Sequence, residues 1–177
     1  MGRLHAVHKD AGVQLPGVRD VILIRIMVVD DFDDWRRFVV SLLQQRPTLR
    51  VICEVSDGLE AVRKAEELKP DLILLDIGLP GVNGIEAARR IIHLRPYSKI
   101  LFMSQQSDPE VVQEALSVGA RGYLLKADAG AELIAAVEAI VKGEPFLSGG
   151  LAQSQFQRSS GRTIPDGRGF TYGGADD

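Results

Sequence analysis

Short runs of aliphatic residues recur five times along the chain, and a stretch with helical spacing follows each run. Most of the runs are continuously apolar and do not alternate, which is typical of strands buried on both faces of a parallel sheet. In each following stretch, apolar residues stand three and four positions apart, which predicts an amphipathic helix. Strict alternation of five such units predicts a doubly wound α/β fold with a five-stranded parallel sheet. The runs cover residues 22–29, 51–55, 72–75, 100–103 and 122–125.

This alternating pattern covers only part of the 177 residues. It extends over residues 22–145, which is enough chain to bury a hydrophobic core. Residues 1–21 contain Gly and Pro among mixed charges without a sustained period, so we expect a flexible N-terminal leader. Residues 146–177 are rich in glycine and lack helical or strand periodicity, which predicts a disordered C-terminal tail with no DNA-binding domain.

Charge and cysteine content exclude several classes of protein. The chain has 21 Lys+Arg and 24 Asp+Glu, a formal net charge of −3, so a broad basic surface for nucleic acid is not expected. Its one cysteine, Cys53, cannot form an internal disulfide. No stretch approaches the roughly 20 apolar residues that span a bilayer. We therefore expect a cytoplasmic protein that binds neither a membrane nor nucleic acid directly.

Polar residues follow all five predicted strands, and those after the second, Ser56-Asp57, are typical of a helix cap. Asp30 and Asp31 follow the first strand, Asp76 the third, Ser104 the fourth and Lys126 the fifth. Ligands of open α/β sheets bind beyond the carboxyl ends of the strands, so these side chains are expected to meet at one edge. Taken singly, each could be a helix cap, a turn residue or a solvated surface group.

Together these five side chains indicate a phosphoryl-transfer site. Three neighbouring carboxylates repel one another, and Mg²⁺, a hard ion that prefers oxygen ligands, relieves that repulsion. Mn²⁺ is an alternative with the same ligand preference. A carboxylate beside Mg²⁺, an ammonium and a hydroxyl can accept a phosphoryl group and become an aspartyl phosphate.

The sequence resembles the receiver domains of two-component response regulators in four motifs. The resemblance covers about residues 24–145 and implies a flavodoxin-like (βα)5 fold with strand order 2-1-3-4-5. The motifs are Val-Val-Asp-Asp at 28–31, Leu-Leu-Asp-Ile-Gly-Leu-Pro-Gly-Val-Asn-Gly at 74–84, Met-Ser at 103–104 and Gly-Tyr-Leu-Leu-Lys at 122–126.

The resemblance implies a role for each residue at this edge. Asp76 would be the phosphoacceptor. Asp31 and Asp76 would bind Mg²⁺ through their side chains, Gly78 through its backbone carbonyl, and Asp30 through water.

Three further residues would respond to the phosphoryl group. Ser104 and Lys126 would contact its oxygens, and Tyr123 matches an aromatic switch position whose ring turns inward as Ser104 moves. Spacing alone allows Tyr123 to be a simple cap on the sheet.

The resemblance also implies partners and a mode of action. A sensor histidine kinase or phosphotransfer protein would phosphorylate Asp76, and the change would switch a partner or dimer surface. Phosphotransfer and dephosphorylation would be autocatalysed, and the chain would not be a turnover enzyme. A homodimer could form through the first and fifth helices. Trp35, Phe38 and Val141 fit such a contact, and packing in the core explains them equally well.

Residues 119–148 are similar to the subgroup that carries a LuxR-type helix-turn-helix output domain. The chain could be a stand-alone receiver or the front of a DNA-binding transcriptional regulator. A metal-dependent phosphatase of the haloacid-dehalogenase type is a weaker alternative, since such enzymes have a second Asp where this chain has Gly78.

Two local sequence features concern the conformation of the backbone. Many receivers have proline after the conserved lysine, often with a cis peptide bond, whereas this chain has Ala127 and could have either isomer after Lys126. Asn83-Gly84 fits a turn that requires a positive φ.

Overall fold

A computed structural model describes residues 22–151, which form one parallel sheet flanked by helices. The strands are ordered β2-β1-β3-β4-β5-β6, and every pair is parallel. The strands are β1 (Ile24–Val29), β2 (Leu49–Val55), β3 (Leu72–Asp76), β4 (Lys99–Ser104), β5 (Gly122–Leu125) and β6 (Phe146–Leu147). The helices are α1 (Asp33–Leu43), α2 (Gly58–Leu68), α3 (Gly84–Leu94), α4 (Pro109–Ser117) and α5 (Ala129–Lys142), with a 3₁₀ turn at Lys126–Asp128.

The predicted fold class and the order of the first five strands are confirmed, but the sheet has six strands instead of five. The additional strand β6 pairs with β5 through Gly122 with Phe146 and Tyr123 with Leu147. A two-residue strand is too short to produce a sequence pattern, and it forms because the edge of β5 offers free hydrogen-bonding groups.

Residues 146–151, which the expected bounds assign to the tail, pack against the rest of the structure. Ser148 and Leu151 are buried. The leader expected at 1–21 and the remainder of the expected tail, 152–177, lie outside the described residues.

Two apolar layers, one on each face of the sheet, form the core. All five residues of β3 are buried because this central strand has helices on both faces. One layer contains Ile73, Leu75 and Phe102, and the other contains Leu72 and Leu74. Rigid packing on both faces fixes where the carboxyl end of β3 lies.

Side-chain caps begin three of the helices. Asp57 accepts a hydrogen bond from the Glu60 N–H at 2.8 Å, and Asp108 accepts one from the Glu110 N–H at 2.8 Å. The α3 cap corrects the expectation for Asn83-Gly84: Asn83 has φ −64° and its side chain caps the helix. Such a cap satisfies an N–H group that has no partner within the helix.

The positive φ in this loop lies at Gly81, with a value of +71°. The Lys126–Ala127 peptide bond is trans. A cis bond before a residue other than proline costs about 3 kcal/mol, and nothing about Ala127 reduces that cost. Over residues 22–151, no helix is both long and apolar enough to cross a membrane.

Candidate functional site

The carboxyl ends of β1, β3, β4 and β5 bring the predicted site residues to one edge of the sheet. Asp30 and Asp31 directly follow β1, and Asp76 and Ser104 are the last residues of β3 and β4. Lys126 begins the 3₁₀ turn after β5. Parallel pairing places Asp76 beside Met103 and Ser104 beside Leu125, which aligns the ends of these strands.

Three carboxylates form an acidic cluster at this edge. Asp30, Asp31 and Asp76 each offer an oxygen within 4.8 Å of the other two. The Lys126 ammonium lies 2.6 Å from Asp30 Oδ2 and 3.2 Å from Asp76 Oδ2. One ammonium cannot balance three carboxylates, so the cluster keeps an excess of negative charge. The carboxylate oxygens of all three residues are hard ligands, which fits a divalent cation such as Mg²⁺.

Asp30 differs from the other two acids in its burial. It is fully buried, and its Oδ1 accepts a hydrogen bond from the Phe32 N–H at 3.0 Å. Burial raises the pKa of the Asp30 carboxyl, while Lys126 and the Phe32 N–H oppose that shift. Asp31, by contrast, is exposed to solvent. The cluster therefore has a buried side held by Lys126 and an open side at Asp31.

Asp76 presents one carboxylate oxygen to the lysine. Its Oδ1 accepts a hydrogen bond from the Ile77 N–H at 2.8 Å, while Oδ2 is the atom near Lys126. The Asp76 side chain is 9% exposed, so the carboxylate is mostly covered and still reachable from the cleft. Gly78 lies beside this carboxylate, since a Cβ at that position would be 3.6 Å from Asp76 Oδ2, an ordinary contact distance.

Gln106 connects the predicted residues Ser104 and Tyr123. The Gln106 N–H donates to Ser104 Oγ at 3.2 Å, and the Gln106 carbonyl accepts the Tyr123 hydroxyl at 2.8 Å. The Tyr123 ring is fully buried and lies inward against Phe102, and burial raises the pKa of its phenol. A change at Ser104 can thus reach Tyr123 through one loop residue.

The site opens into a cleft of about 370 Å³. Phe32 and Trp35 form its apolar wall, and the Trp35 ring centroid lies 5.4 Å from Lys126 Nζ. The cleft is lined by Asp31, Phe32, Trp35, Asp76, Gly78, Ser104, Gln105, Gln106 and Lys126. Through this cleft a small group can approach both the Asp76 carboxylate and the Lys126 ammonium.

Five residues of this site were not predicted from the sequence. Phe32, Trp35, Gln105 and Gln106 line the cleft. The fifth is Arg36, whose guanidinium donates to the Asp30 carbonyl at 2.6 Å and also pairs with Asp33. In the sequence, the helical spacing of Trp35 indicates only a packed face of α1. Its position a few residues after Asp30-Asp31 is the only sequence feature that indicates a place in the site.

Comparison with known proteins identifies the family of this chain. The family model described as response regulator receiver domain matches residues 26–138. The transcriptional regulatory protein LiaR of Bacillus subtilis (strain 168) is 36% identical over 146 residues, which are 81% of this chain and 69% of LiaR. Across the curated relatives compared, the match spans between 52% and 69% of the relative's length.

Solved structures of related proteins have the same fold. A LuxR-family two-component response regulator from Aurantimonas sp. SI85-9A1 has a TM-score of 0.74 at 35% identity, covering 78% of this chain and 99% of that one. The signal receiver domain of the putative response regulator NarL from Mycobacterium tuberculosis has a TM-score of 0.65 at 32% identity, covering 69% and 98%. The chain therefore belongs to the response regulator receiver domain family, a family of two-component signalling proteins.

Proposed function

We propose that this receiver acts through phosphorylation of Asp76 by a sensor histidine kinase or a phosphotransfer protein. The observation that carries the proposal is the position of Asp76 Oδ2, 3.2 Å from the Lys126 ammonium and within the acidic cluster. A nucleophilic oxygen, a cation for the transferred group and an opening to solvent are thus found at one point.

In the proposed reaction, Asp76 Oδ2 attacks the phosphorus of a phosphohistidine. The new O–P bond forms as the N–P bond breaks, and the electron pair of the broken bond stays on the imidazole nitrogen. The Lys126 ammonium compensates charge on the equatorial phosphoryl oxygens, and the Ser104 hydroxyl donates to one of them. Hydrolysis of the aspartyl phosphate in the same site would reset the protein without a separate enzyme.

The donor set fits Mg²⁺, and Mn²⁺ would find the same oxygen ligands. Asp31 and Asp76 would hold the ion through carboxylates, Gly78 through its backbone carbonyl, and Asp30 through a water molecule. When bound, the ion supplies neutralisation of negative charge around the phosphoryl oxygens.

Ser104, Gln106 and Tyr123 would form the switch. Movement of Ser104 toward a phosphoryl oxygen would pull on the Gln106 N–H, and the buried Tyr123 hydroxyl bonds to the same residue. The resulting shift at β4 and β5 would alter a surface for a protein partner or for a second copy of the chain, with α1 and α5 as the dimer helices. Residues 22–151 would not contact DNA directly.

A second candidate function, control of transcription by the whole protein, rests on the relatives. LiaR is a transcriptional regulatory protein, and the match covers only 69% of it. Salt-sensitive binding of duplex DNA by the purified chain would support direct control, and its absence would favour an effect through a protein partner.

Intact mass spectrometry tests the assignment of Asp76. The wild-type chain is incubated with Mg²⁺ and an acyl phosphate, and we expect one phosphoryl adduct. Asp76→Asn should form none, because an amide lacks the nucleophilic oxygen, while Asp34→Asn should behave as wild type because its carboxyl lies outside the cluster. An adduct on Asp76→Asn equal to that on the wild type would contradict the proposal.

A further inference from the structure

We propose that Trp35 is a positioning residue for Lys126: its indole face holds the ammonium beside Asp76 and so sets the rate at which Asp76 accepts a phosphoryl group. This inference rests on the proposed function. It assigns a role in the reaction to a side chain that the helical pattern alone marks as part of an apolar face.

The first observation is the contact itself. Lys126 Nζ lies 5.4 Å from the centroid of the Trp35 ring, within the roughly 6 Å at which an aromatic face attracts a cation. The Lys126 side chain is only 12% exposed, so water screens this attraction weakly. Tryptophan is the aromatic residue that attracts cations most strongly.

The second observation concerns the orientation of the ring. Trp35 Nε1 is buried and, within residues 22–151, has no hydrogen-bond partner. The ring is therefore positioned by packing against Phe38, at a centroid distance of 5.2 Å, and by its contact with the Lys126 ammonium. What this position supplies to the site is the aromatic face and not an N–H donor, so another aromatic ring should replace it.

The third observation is the conflict that Lys126 must resolve. In the structure its ammonium pairs with Asp30 and Asp76, yet during the reaction it must also reach the incoming phosphoryl oxygens. Lysine has a flexible stem with many accessible rotamers. A neutral aromatic face limits that freedom without adding a carboxylate that would compete with the phosphoryl group.

Phosphorylation rates of four chains test the proposal: the wild type, Trp35→Leu, Trp35→Phe and Phe38→Leu. Adduct formation with an acyl phosphate is followed at saturating Mg²⁺ over a range of donor concentrations. Trp35→Leu should lower the rate at saturating donor about five-fold, the size expected for the loss of one cation–π contact. Trp35→Phe should have a rate within about two-fold of the wild-type rate. Phe38→Leu is the packing control, because it removes the ring that packs against Trp35 and keeps the indole itself.

Nuclear magnetic resonance provides a second measurement, and its deciding result comes from the wild-type chain and does not depend on phosphorylation activity. The ring current of Trp35 should shift the Lys126 ε-methylene protons upfield in the wild-type chain, with the assignment made by Lys126→Arg. Trp35→Phe should retain part of that shift. Lys126 ε-protons at ordinary positions in the wild type would overturn the proposal.

The rate outcomes separate this inference from the proposed function. A wild-type chain that forms no adduct would overturn both. A wild-type adduct with Trp35→Leu at full rate would overturn the positioning role alone, and so would Trp35→Phe as slow as Trp35→Leu. Slowing by Phe38→Leu equal to that of Trp35→Leu would assign the effect to packing of α1.

Discussion

Gly84 controls how closely α3 approaches Asp76, the proposed phosphoacceptor. A Cβ at this position would lie 1.9 Å from the backbone oxygen of Asp76, a distance that no real side chain reaches. The start of α3 thus packs directly on the backbone that carries Asp76, and only a residue without a side chain permits this. A substitution here must displace either the helix or the site.

We expect Gly84→Ala to lower the free energy of unfolding by more than about 2 kcal/mol, because backbone atoms cannot yield as a flexible side chain can. Urea unfolding measures this change. Gly130→Ala is the control: its Cβ would meet only Phe38 Cζ at 3.9 Å, and alanine in α5 should stabilise by up to about 1 kcal/mol. Equal stability of Gly84→Ala and the wild type would contradict this account.

At the scale of elements, Ser148 joins β6 to the turn that carries Lys126. Its buried Oγ accepts the Leu125 N–H at 3.1 Å and lies 2.9 Å from Asp128 Oδ2 and 2.8 Å from Glu132 Oε2. Lys126 and Asp128 belong to the same 3₁₀ turn. The end of the described chain is therefore fastened to the element that holds the site lysine.

Ser148→Ala should cost about 1–3 kcal/mol of stability, because it leaves the Leu125 N–H and two carboxylates without this partner. Hydrogen exchange should show faster exchange of the Leu125 amide. Ser117→Ala is the matched control, since that exposed hydroxyl bonds only within α4, and its effect should stay within about 0.5 kcal/mol. An unchanged exchange rate of the Leu125 amide would contradict this role of Ser148.

At the scale of the whole molecule, folding itself creates the acidic cluster. Asp31 and Asp76 are far apart in the sequence and meet only when β1 pairs with β3. An unfolded chain cannot present both carboxylates to one ion. A divalent cation should therefore bind the folded state and stabilise it.

Mg²⁺ should raise the melting temperature of the wild-type chain, and a chelator should reverse the rise. At a concentration 100 times the Kd, the stabilisation is about 2.7 kcal/mol. Asp31→Asn should abolish most of the shift, while Asp34→Asn, an exposed acid on α1, should keep it. Differential scanning calorimetry measures both, and a shift of wild-type size in Asp31→Asn would show that the ion binds elsewhere.

The sequence by itself determined the fold class and the residues at the edge of the sheet. Aliphatic runs and helical spacing depend on neighbours a few positions apart, so they can be read without a structure. The rule that parallel strands expose their carboxyl ends together then placed Asp30, Asp31, Asp76, Ser104 and Lys126 in one region.

Only the tertiary structure decided which of these groups touch and what surrounds them. The pairing of Lys126 with buried Asp30, the ring of Trp35 over Lys126, and the link from Ser104 to Tyr123 through Gln106 all join residues distant in the sequence. Strand β6 likewise exists because β5 offers it an edge. Such contacts depend on how the helices and strands pack together, which no local pattern records.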